Sequence, residues 1–277
     1  GNAGNITINA RDTVTFSELG NAQSSSMINA IGNGADIRIN AEKLLLNNGG
    51  FLQSNGTGKG NAGNIFLDIK DTITLDGFSK DKIVPSAVNT FSDNGNAGNI
   101  DVKTGSLFLS NGGFMAAFLI GKNSDNDITN AGNITINARD KVKIDGEVSS
   151  LLSNLVSGVG KAGNIEITAD SLSVTNSGEI NSSTSGEGNA GNITFNANTF
   201  ENVNGGRVTT NTNSSGDAGT IALNIKDKIV LSGNEELQTG LFANTSSIST
   251  GEGGSIIIDP RLVIIENGAG ISVGSDG

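Results

Sequence analysis

Carboxylates are the main side chains of this 277-residue sequence that could do acid–base chemistry. The chain has no histidine and no cysteine, so it cannot pair a nucleophile with a neutral base in the usual way. Its 28 Asp and Glu residues could still supply a carboxylate pair that hydrolyses a sugar polymer. However, the absence of Trp and Tyr removes the best aromatic platforms of a sugar-processing cleft.

One loop gathers oxygen ligands of the kind that calcium prefers, in the run Ser124-Asp125-Asn126-Asp127. The sequence lacks the Gly-Gly-x-Gly-x-Asp nonapeptide and the bidentate Glu of an EF-hand loop. We therefore favour an exposed polar turn here and predict no metal site and no cofactor. A calcium-stabilised surface-layer module is kept as an alternative.

The charge balance argues against two classes of partner. The net charge is −11, and the 17 Lys and Arg residues are not clustered as nucleic acid or an anionic membrane surface would require. No apolar run approaches the roughly 20 residues of a membrane span. We expect neither nucleic acid nor a membrane-spanning segment.

The dominant pattern is an internal repeat whose clearest copies read Ala-Gly-Asn-Ile. It occurs nine times if degenerate copies are counted, and 28 residues is the shortest and most frequent spacing. The anchoring residues are Ile6, Ile37, Ile65, Ile100, Ile134, Ile165, Ile193, Ile221 and Ile256.

Each repeat contains two apolar-x-apolar segments, which is the period of a strand with one buried face, and a third short segment that also predicts a strand. The first begins at the anchor, the second follows seven or eight residues later, as in Leu107-Phe108-Leu109, and the third follows a turn, as in Asn111-Gly112-Gly113-Phe114. This pattern predicts an all-β fold, a right-handed three-sided parallel β-helix of about nine coils over residues 1–277. At roughly 4.8 Å per coil, the rod would be about 40 Å long.

The Gly-Asn motif before each anchor predicts a turn with positive φ angles, which Gly and Asn tolerate. Stacking would bring its asparagines to equivalent places, where their amides could form a structural ladder along the rod. The predicted ladder residues are Asn5, Asn64, Asn99, Asn133, Asn164 and Asn192, with Asp36 in the same position.

Two kinds of coil alternate in the sequence. Coils 1, 3, 5 and 8 carry a basic-acidic pair before strand two, with one extra residue there, and lack the Asn-Gly-Gly type of turn. We predict that all four have longer turns, such as Asp76 to Val88 and Ser232 to Leu241, and that coil 4 adds an excursion from Leu119 to Asn130. These projections are where we expect any specific recognition.

The outward charged residues form no cluster in register, which argues against a catalytic site; they are Arg38, Asp101, Glu166 and Arg207. A carbohydrate-active β-helix enzyme is therefore kept only as the alternative hypothesis. We predict that the chain is not an enzyme and nominate no catalytic residue.

The block Gly-Asn-Ala-Gly-Asn-Ile-Thr-Ile-x-Ala at residues 1–10, with close copies at 130–138 and 188–197, resembles the filamentous-haemagglutinin-like proteins exported by two-partner secretion, especially those of cyanobacteria. The resemblance implies a β-helical shaft, export across the outer membrane, and an adhesive or matrix role. It implies no binding residues, and the Asn-Pro-Asn-Gly motif of the family's secretion domain has no counterpart here.

We therefore predict a structural or adhesive shaft of a secreted or cell-surface bacterial protein, such as a component of a filament or matrix. Because the sequence begins inside a motif, we expect it to be an excerpt of a longer protein. The expected partners are neighbouring β-helix segments, copies of the chain end to end, and cell-surface or matrix polysaccharide.

Overall fold

A computed structural model of the chain describes residues 1–30, 32–58, 60–120, 128–153, 159–234, 236–246 and 249–275. In these ranges all the regular secondary structure is β-strand. The strands are β1 (Ile6–Asn9), β2 (Thr13–Ser17), β3 (Asn21–Ala30), β4 (Ile37–Asn47), β5 (Phe51–Gly58), β6 (Ile65–Asp76), β7 (Ala87–Ser92), β8 (Ile100–Ser110), β9 (Phe114–Leu119), β10 (Ile134–Asp145), β11 (Ser150–Leu152), β12 (Ile165–Thr168), β13 (Ser171–Thr175), β14 (Glu179–Asn181), β15 (Ile193–Val203), β16 (Arg207–Thr209), β17 (Thr220–Ser232), β18 (Gly240–Phe242), β19 (Ser255–Ile258), β20 (Leu262–Glu266) and β21 (Gly270–Ser272).

These strands stack as a parallel β-helix, which confirms the predicted fold class. Strands one and two of the coils form a 12-stranded sheet, and the third strands form a nine-stranded sheet. The coils are β1–β3, β4–β5, β6–β7, β8–β9, β10–β11, β12–β14, β15–β16, β17–β18 and β19–β21. Nine coils correspond to about eight full turns between the first and the last anchor. The right-handed sense of the winding stays a prediction from the crossover preference.

The nine predicted anchors lie in register. Ile6 pairs with Ile37, and the chain of pairs continues through every anchor to Ile256. From coil 2 to coil 8 these isoleucines are at most 1% exposed and form one continuous core with the second and third strands. Burial of this apolar column is the main force that holds coil on coil.

The first two strands of six coils run as one continuous strand, where the sequence pattern predicted two separate strands. The bend between them is marked by a shift in register, in which Glu42 of coil 2 faces the pair Lys70-Asp71 of coil 3. The same offset sets Gly105 against Arg139-Asp140, and Asn198 against Lys226-Asp227. The predicted extra residue is therefore confirmed as a bulge at this bend.

The glycines of the Ala-Gly-Asn motif do not adopt positive φ, and the prediction that they do was wrong. They are needed because successive coils approach each other closely at this point. A Cβ atom on Gly132 would lie 1.9 Å from the carbonyl oxygen of Gly98, and one on Gly98 would lie 2.0 Å from that of Gly63. Since no side chain fits that distance, the motif maintains the spacing between coils.

Within the described ranges, the residues other than glycine that have positive φ all lie in the turn between strands two and three. Asn48 and Gly49 have φ angles of 49° and 81°, and Asn111 and Gly112 have angles of 50° and 92°. Coil 1 makes the same tight turn with Glu18 and Leu19, at 51° and 68°. The prediction of a long turn in coil 1 was therefore wrong, because two non-glycine residues adopt the left-handed conformation there.

The other long-turn predictions hold. Coil 3 connects its second and third strands through ten residues (77–86) and coil 8 through seven (233–239). Coil 5 uses four residues (146–149), one more than the three of the tight turns. In the described part of the chain no helix is long and apolar enough to cross a membrane.

Replacing Gly132 with Ala tests the role of the glycine column. The added methyl group must push coils 4 and 5 apart, so we expect the free energy of unfolding to fall by about 1 to 3 kcal/mol. Gly4→Ala is the matched control, because it lies in the same motif with nothing within 4 Å of the added Cβ. Equilibrium urea unfolding measures both variants, and equal stability of the two would contradict the close-approach explanation.

Candidate functional site

The six predicted ladder asparagines stand at equivalent places on successive coils, joined by hydrogen bonds to the backbone. Asn64 Oδ1 accepts the N–H of Asn99 at 2.8 Å, and Asn99 Oδ1 accepts that of Asn133 at 2.8 Å. Asp36 takes part through its carboxylate, which accepts the N–H of Asn64 at 2.9 Å. The row runs from Asn5 to Thr220 without a gap. Its oxygens are occupied by the protein's own backbone, which assigns them to coil stacking and not to a ligand.

A second ladder lies three residues before the first, and the sequence reasoning missed it. Asn33 Oδ1 accepts the N–H of Asn61 at 2.9 Å, and Asn61 Oδ1 accepts that of Asn96 at 2.8 Å. It continues through Asn130 to the N–H of Lys161, and it reappears between Asn189, Asp217 and Glu252. The signal was present in the first Asn of the Gly-Asn-Ala-Gly-Asn block.

The turns between strands two and three explain why two kinds of coil are interspersed. In each tight turn that precedes a longer one, the N–H of the glycine at the second turn position, directly after the Asn, needs an acceptor. The following coil provides a buried hydroxyl: Ser86 for Gly49 at 3.2 Å, Ser149 for Gly112 at 3.0 Å, and Thr239 for Gly205 at 2.7 Å. A longer turn thus stabilises the tight turn of the preceding coil through this hydrogen bond.

The longer-turn coils also bond to the tight turn that follows. Asp76 Oδ1 accepts from Ser110 Oγ at 2.6 Å and from Asn111 Nδ2 at 2.8 Å. Asp145 Oδ1 does the same with Thr175 Oγ1 at 2.6 Å and Asn176 Nδ2 at 2.8 Å. Coils 3 and 5 are therefore bonded at this edge to the coils on both sides.

Asp145 is a carboxylate with a shifted titration. Burial acts to raise its pKa, but the hydrogen bonds from Thr175, Lys143 and Asn176, with the lysine charge, outweigh burial and hold the pKa below its ordinary value. Asp101 differs, because partial burial alone raises its pKa.

The coil-3 turn folds back as a small hairpin that projects from the turn edge, as predicted for a recognition element. Phe78 and Pro85 form an antiparallel bridge, and Ser79 N–H donates to the Val84 carbonyl at 2.7 Å. The hydrogen bond from Ser79 to Asp81, followed by that from the Ile83 N–H, lowers the pKa of Asp81. These bonds order the hairpin while leaving Ile83 73% exposed at its tip.

This hairpin overhangs the tight turns of coils 1 and 2. A cavity of about 850 Å³ opens between them, lined by Glu18, Leu19, Asn48 and the segment Ser79-Lys80-Asp81. Both charge signs and one exposed leucine line it. The strained Leu19, at positive φ, is held in this groove, which makes the groove a candidate recognition surface.

The coil-8 turn projects in a similar way. Asn234 and Leu237 form an antiparallel bridge, and Leu237, which is 42% exposed, packs beside Gly205 of coil 7. The predicted excursion of coil 4 falls partly on residues 121–127, and the calcium candidate Ser124-Asp125-Asn126-Asp127 falls wholly on them. These residues lie outside the described part of the chain.

The outward residues named from sequence remain dispersed. Arg38 stacks on Phe66, 3.9 Å from the ring centroid, and Phe66 separates it from Asp101 in register. Glu166 neighbours Thr135 and Thr194 on the same face, whereas Arg207 lies on the nine-stranded sheet beside Glu179. Within the described ranges, no three Asp or Glu side chains converge so that they could hold a metal ion.

Comparison of the chain with protein-family models, with curated proteins and with solved structures finds no significant match.

Thr239→Val tests the hydroxyl that joins coils 7 and 8. Valine has nearly the same shape but cannot accept the Gly205 N–H, so a buried donor is left without a partner. We expect the free energy of unfolding to fall by about 1 to 3 kcal/mol. Thr239→Ser keeps the hydroxyl and is the control. A valine variant as stable in urea as the serine variant would show that this bond does not hold the coils together.

Acid sensitivity at coil 5 follows from the lowered pKa of Asp145. A lowered folded-state pKa stabilises the fold above the unfolded value near 3.8, and this contribution disappears as the pH falls through the folded value. We expect the stability difference between the wild type and Asp145→Asn to be largest above pH ~4 and to shrink below it. Thermal melts between pH ~2 and ~7 measure it, with Asp68→Asn as the control for loss of one charge. A pH-independent difference would refute this role of the carboxylate.

Proposed function

We propose that this chain is a shaft segment of a secreted or cell-surface bacterial protein, and that its projecting turns make the adhesive contacts. The β-solenoid is a structural repeat, and every coil is fastened to its neighbours by backbone pairing, glycine close contacts and asparagine ladders. A shaft needs this kind of joint, because its stability is approximately the sum of the stabilities of its coils and of the interfaces between neighbouring coils.

The observation that carries the adhesive part is the order of the coil-3 hairpin. Its internal hydrogen bonds hold it over the turn edge, and its tip residues Lys80, Asp81, Lys82 and Ile83 are exposed to solvent. A recognition element that is rigid before binding loses less conformational freedom when it binds. The dispersed carboxylates support a non-enzymatic role.

The partners that we propose are adjacent β-helix segments or copies of the chain, and a polysaccharide of a cell surface or matrix. Coil 9 supports the first: Val263, Ile265 and Ile271 are 40%, 47% and 38% exposed, while the equivalent core residues of coil 8 are fully buried. The end of another rod would cover these apolar side chains and pair with the open edges of the strands. The proposal includes export by two-partner secretion and a relation to haemagglutinin-like proteins, and the repeat motif is the only feature that supports these two parts.

A tip-exchanged rod tests the adhesive role. Replacing Lys80 with Ser, Lys82 with Asn and Ile83 with Ser removes the tip side chains, and Asn tolerates the positive φ of 60° at position 82. We expect at least a tenfold loss of retention on extracellular polysaccharide from the native host, with an unchanged melting temperature.

The control carries Lys103→Ser, Lys141→Asn and Ile257→Ser, which remove the same side-chain types from the outward faces of other coils. Equal retention of both triple variants and the wild type would refute the role of the hairpin. Protease accessibility of the chain on intact host cells tests the surface location separately, and protection until the cells are lysed would contradict it.

A further inference from the structure

The nine-stranded sheet carries a slot between two phenylalanines on its outer surface. Phe51 of coil 2, Ala87 of coil 3 and Phe114 of coil 4 are paired in register. None of the three belongs to the hydrophobic core, which takes the next residue of each strand. The small alanine therefore leaves a gap between two aromatic side chains that are two strand spacings apart, about 9.6 Å.

The coil-3 hairpin closes one side of this slot. Val84 and Pro85 line it together with the two phenylalanines, and the bridge between Pro85 and Phe78 holds that wall in place. The resulting cavity has a volume of about 140 Å³, which is on the scale of one six-membered ring with its substituents. Ala87 forms the floor and is only 2% exposed.

Two amide side chains stand at the other side. Asn89 is 8% exposed, and its Oδ1 atom is buried without a hydrogen-bond partner in the described part of the chain. Its neighbour in register, Gln53, accepts a hydrogen bond from Gln23 through Oε1, which leaves its Nε2 hydrogens to donate. A buried carbonyl oxygen without a donor is costly, so a ligand that brings a hydroxyl would relieve that cost.

We infer that this slot binds one neutral sugar ring of a polysaccharide. The phenylalanine side chains accept the apolar C–H faces of the ring, Asn89 Oδ1 accepts from a ring hydroxyl, and Gln53 Nε2 donates to a ring or hydroxyl oxygen. No charged side chain is among the described residues that line the slot, which favours a neutral sugar over a uronate. A proline or phenylalanine side chain of a peptide would fill the same walls but would bring no donor of its own to Asn89.

The inference rests on the proposed adhesive function and names a subsite for it. The coil-3 hairpin then has two uses: its tip is exposed for contacts, and Val84 and Pro85 form one wall of the slot. The slot is open to a polymer that lies along the rod, since Phe51 and Phe114 belong to different coils and both remain partly exposed.

Two variants of the full chain test the slot. Ala87→Leu fills the gap with a side chain, and Asn89→Leu removes the amide whose Oδ1 has no hydrogen-bond partner within the described residues. Ala222→Leu, at an outward position of coil 8 on the other sheet, is the matched control. Melting temperatures within a few degrees of the wild type establish that all three variants fold.

The probes are cello-, xylo-, manno- and maltohexaose, an oligogalacturonate and a proline-rich peptide, titrated by calorimetry or by saturation-transfer NMR. We expect at least one neutral hexaose to bind, with affinity falling at least tenfold in both slot variants and unchanged in Ala222→Leu. Absence of binding by every neutral hexaose, binding that survives both slot variants, or preference for the oligogalacturonate or the peptide would each overturn the inference.

The failures of the two proposals are distinguishable. If no neutral hexaose binds, or if hexaose binding survives both slot variants, while the tip exchange abolishes retention on host polysaccharide, the shaft stays adhesive through its hairpin and the slot assignment falls. If the slot variants lose hexaose binding but neither they nor the tip exchange alters retention, the slot stands and the adhesive role falls.

Discussion

Parallel pairing of each coil with the next is the interaction on which the rest of this molecule depends. It fixes the distance between equivalent backbone atoms at about 4.8 Å along the whole rod. Every group that repeats must then tolerate a copy of itself at that distance. Isoleucine does so by packing in a core column, glycine by having no Cβ, and asparagine by accepting a hydrogen bond from the next coil.

Because of the same spacing, the turns of one coil form hydrogen bonds with the turns of its neighbours. A tight turn such as Asn111-Gly112 has an N–H that its own coil cannot satisfy, and the next coil supplies Ser149 as acceptor. Where two tight turns adjoin, as in coils 6 and 7, the backbone takes over, and the Ser177 N–H donates to the Asn204 carbonyl at 2.9 Å. Longer turns therefore bond to the coil before them and also project from the rod, and the hairpin of coil 3 does both.

Because folding is carried by the inward side chains and by the backbone, the outward side chains vary with little cost to the rod. A site on such a surface comes from a local coincidence of residues on adjacent coils. Phe51, Ala87 and Phe114 illustrate this, since each is an ordinary outward residue and only their register makes a slot. The ion pairs at the bend, such as Arg261 with Asp227 at 2.7 Å, are exposed and contribute little to stability.

The sequence by itself determined the repeat, the nine anchors, the inward columns and the place of the extra residue at the bend, because apolar periodicity reports directly which side of a strand is buried. It also located the long turns of coils 3 and 8. It could not reveal why glycine occupies the motif, since positive φ and close approach of the backbone favour the same residue. It also predicted the wrong turn length in coil 1, where Glu18 and Leu19 adopt a left-handed conformation that their side chains disfavour. The second asparagine ladder, the hydroxyl acceptors and the phenylalanine slot join residues about 27 to 37 positions apart. Only the tertiary structure decided these contacts, because they depend on the register between coils and not on any pattern within one coil.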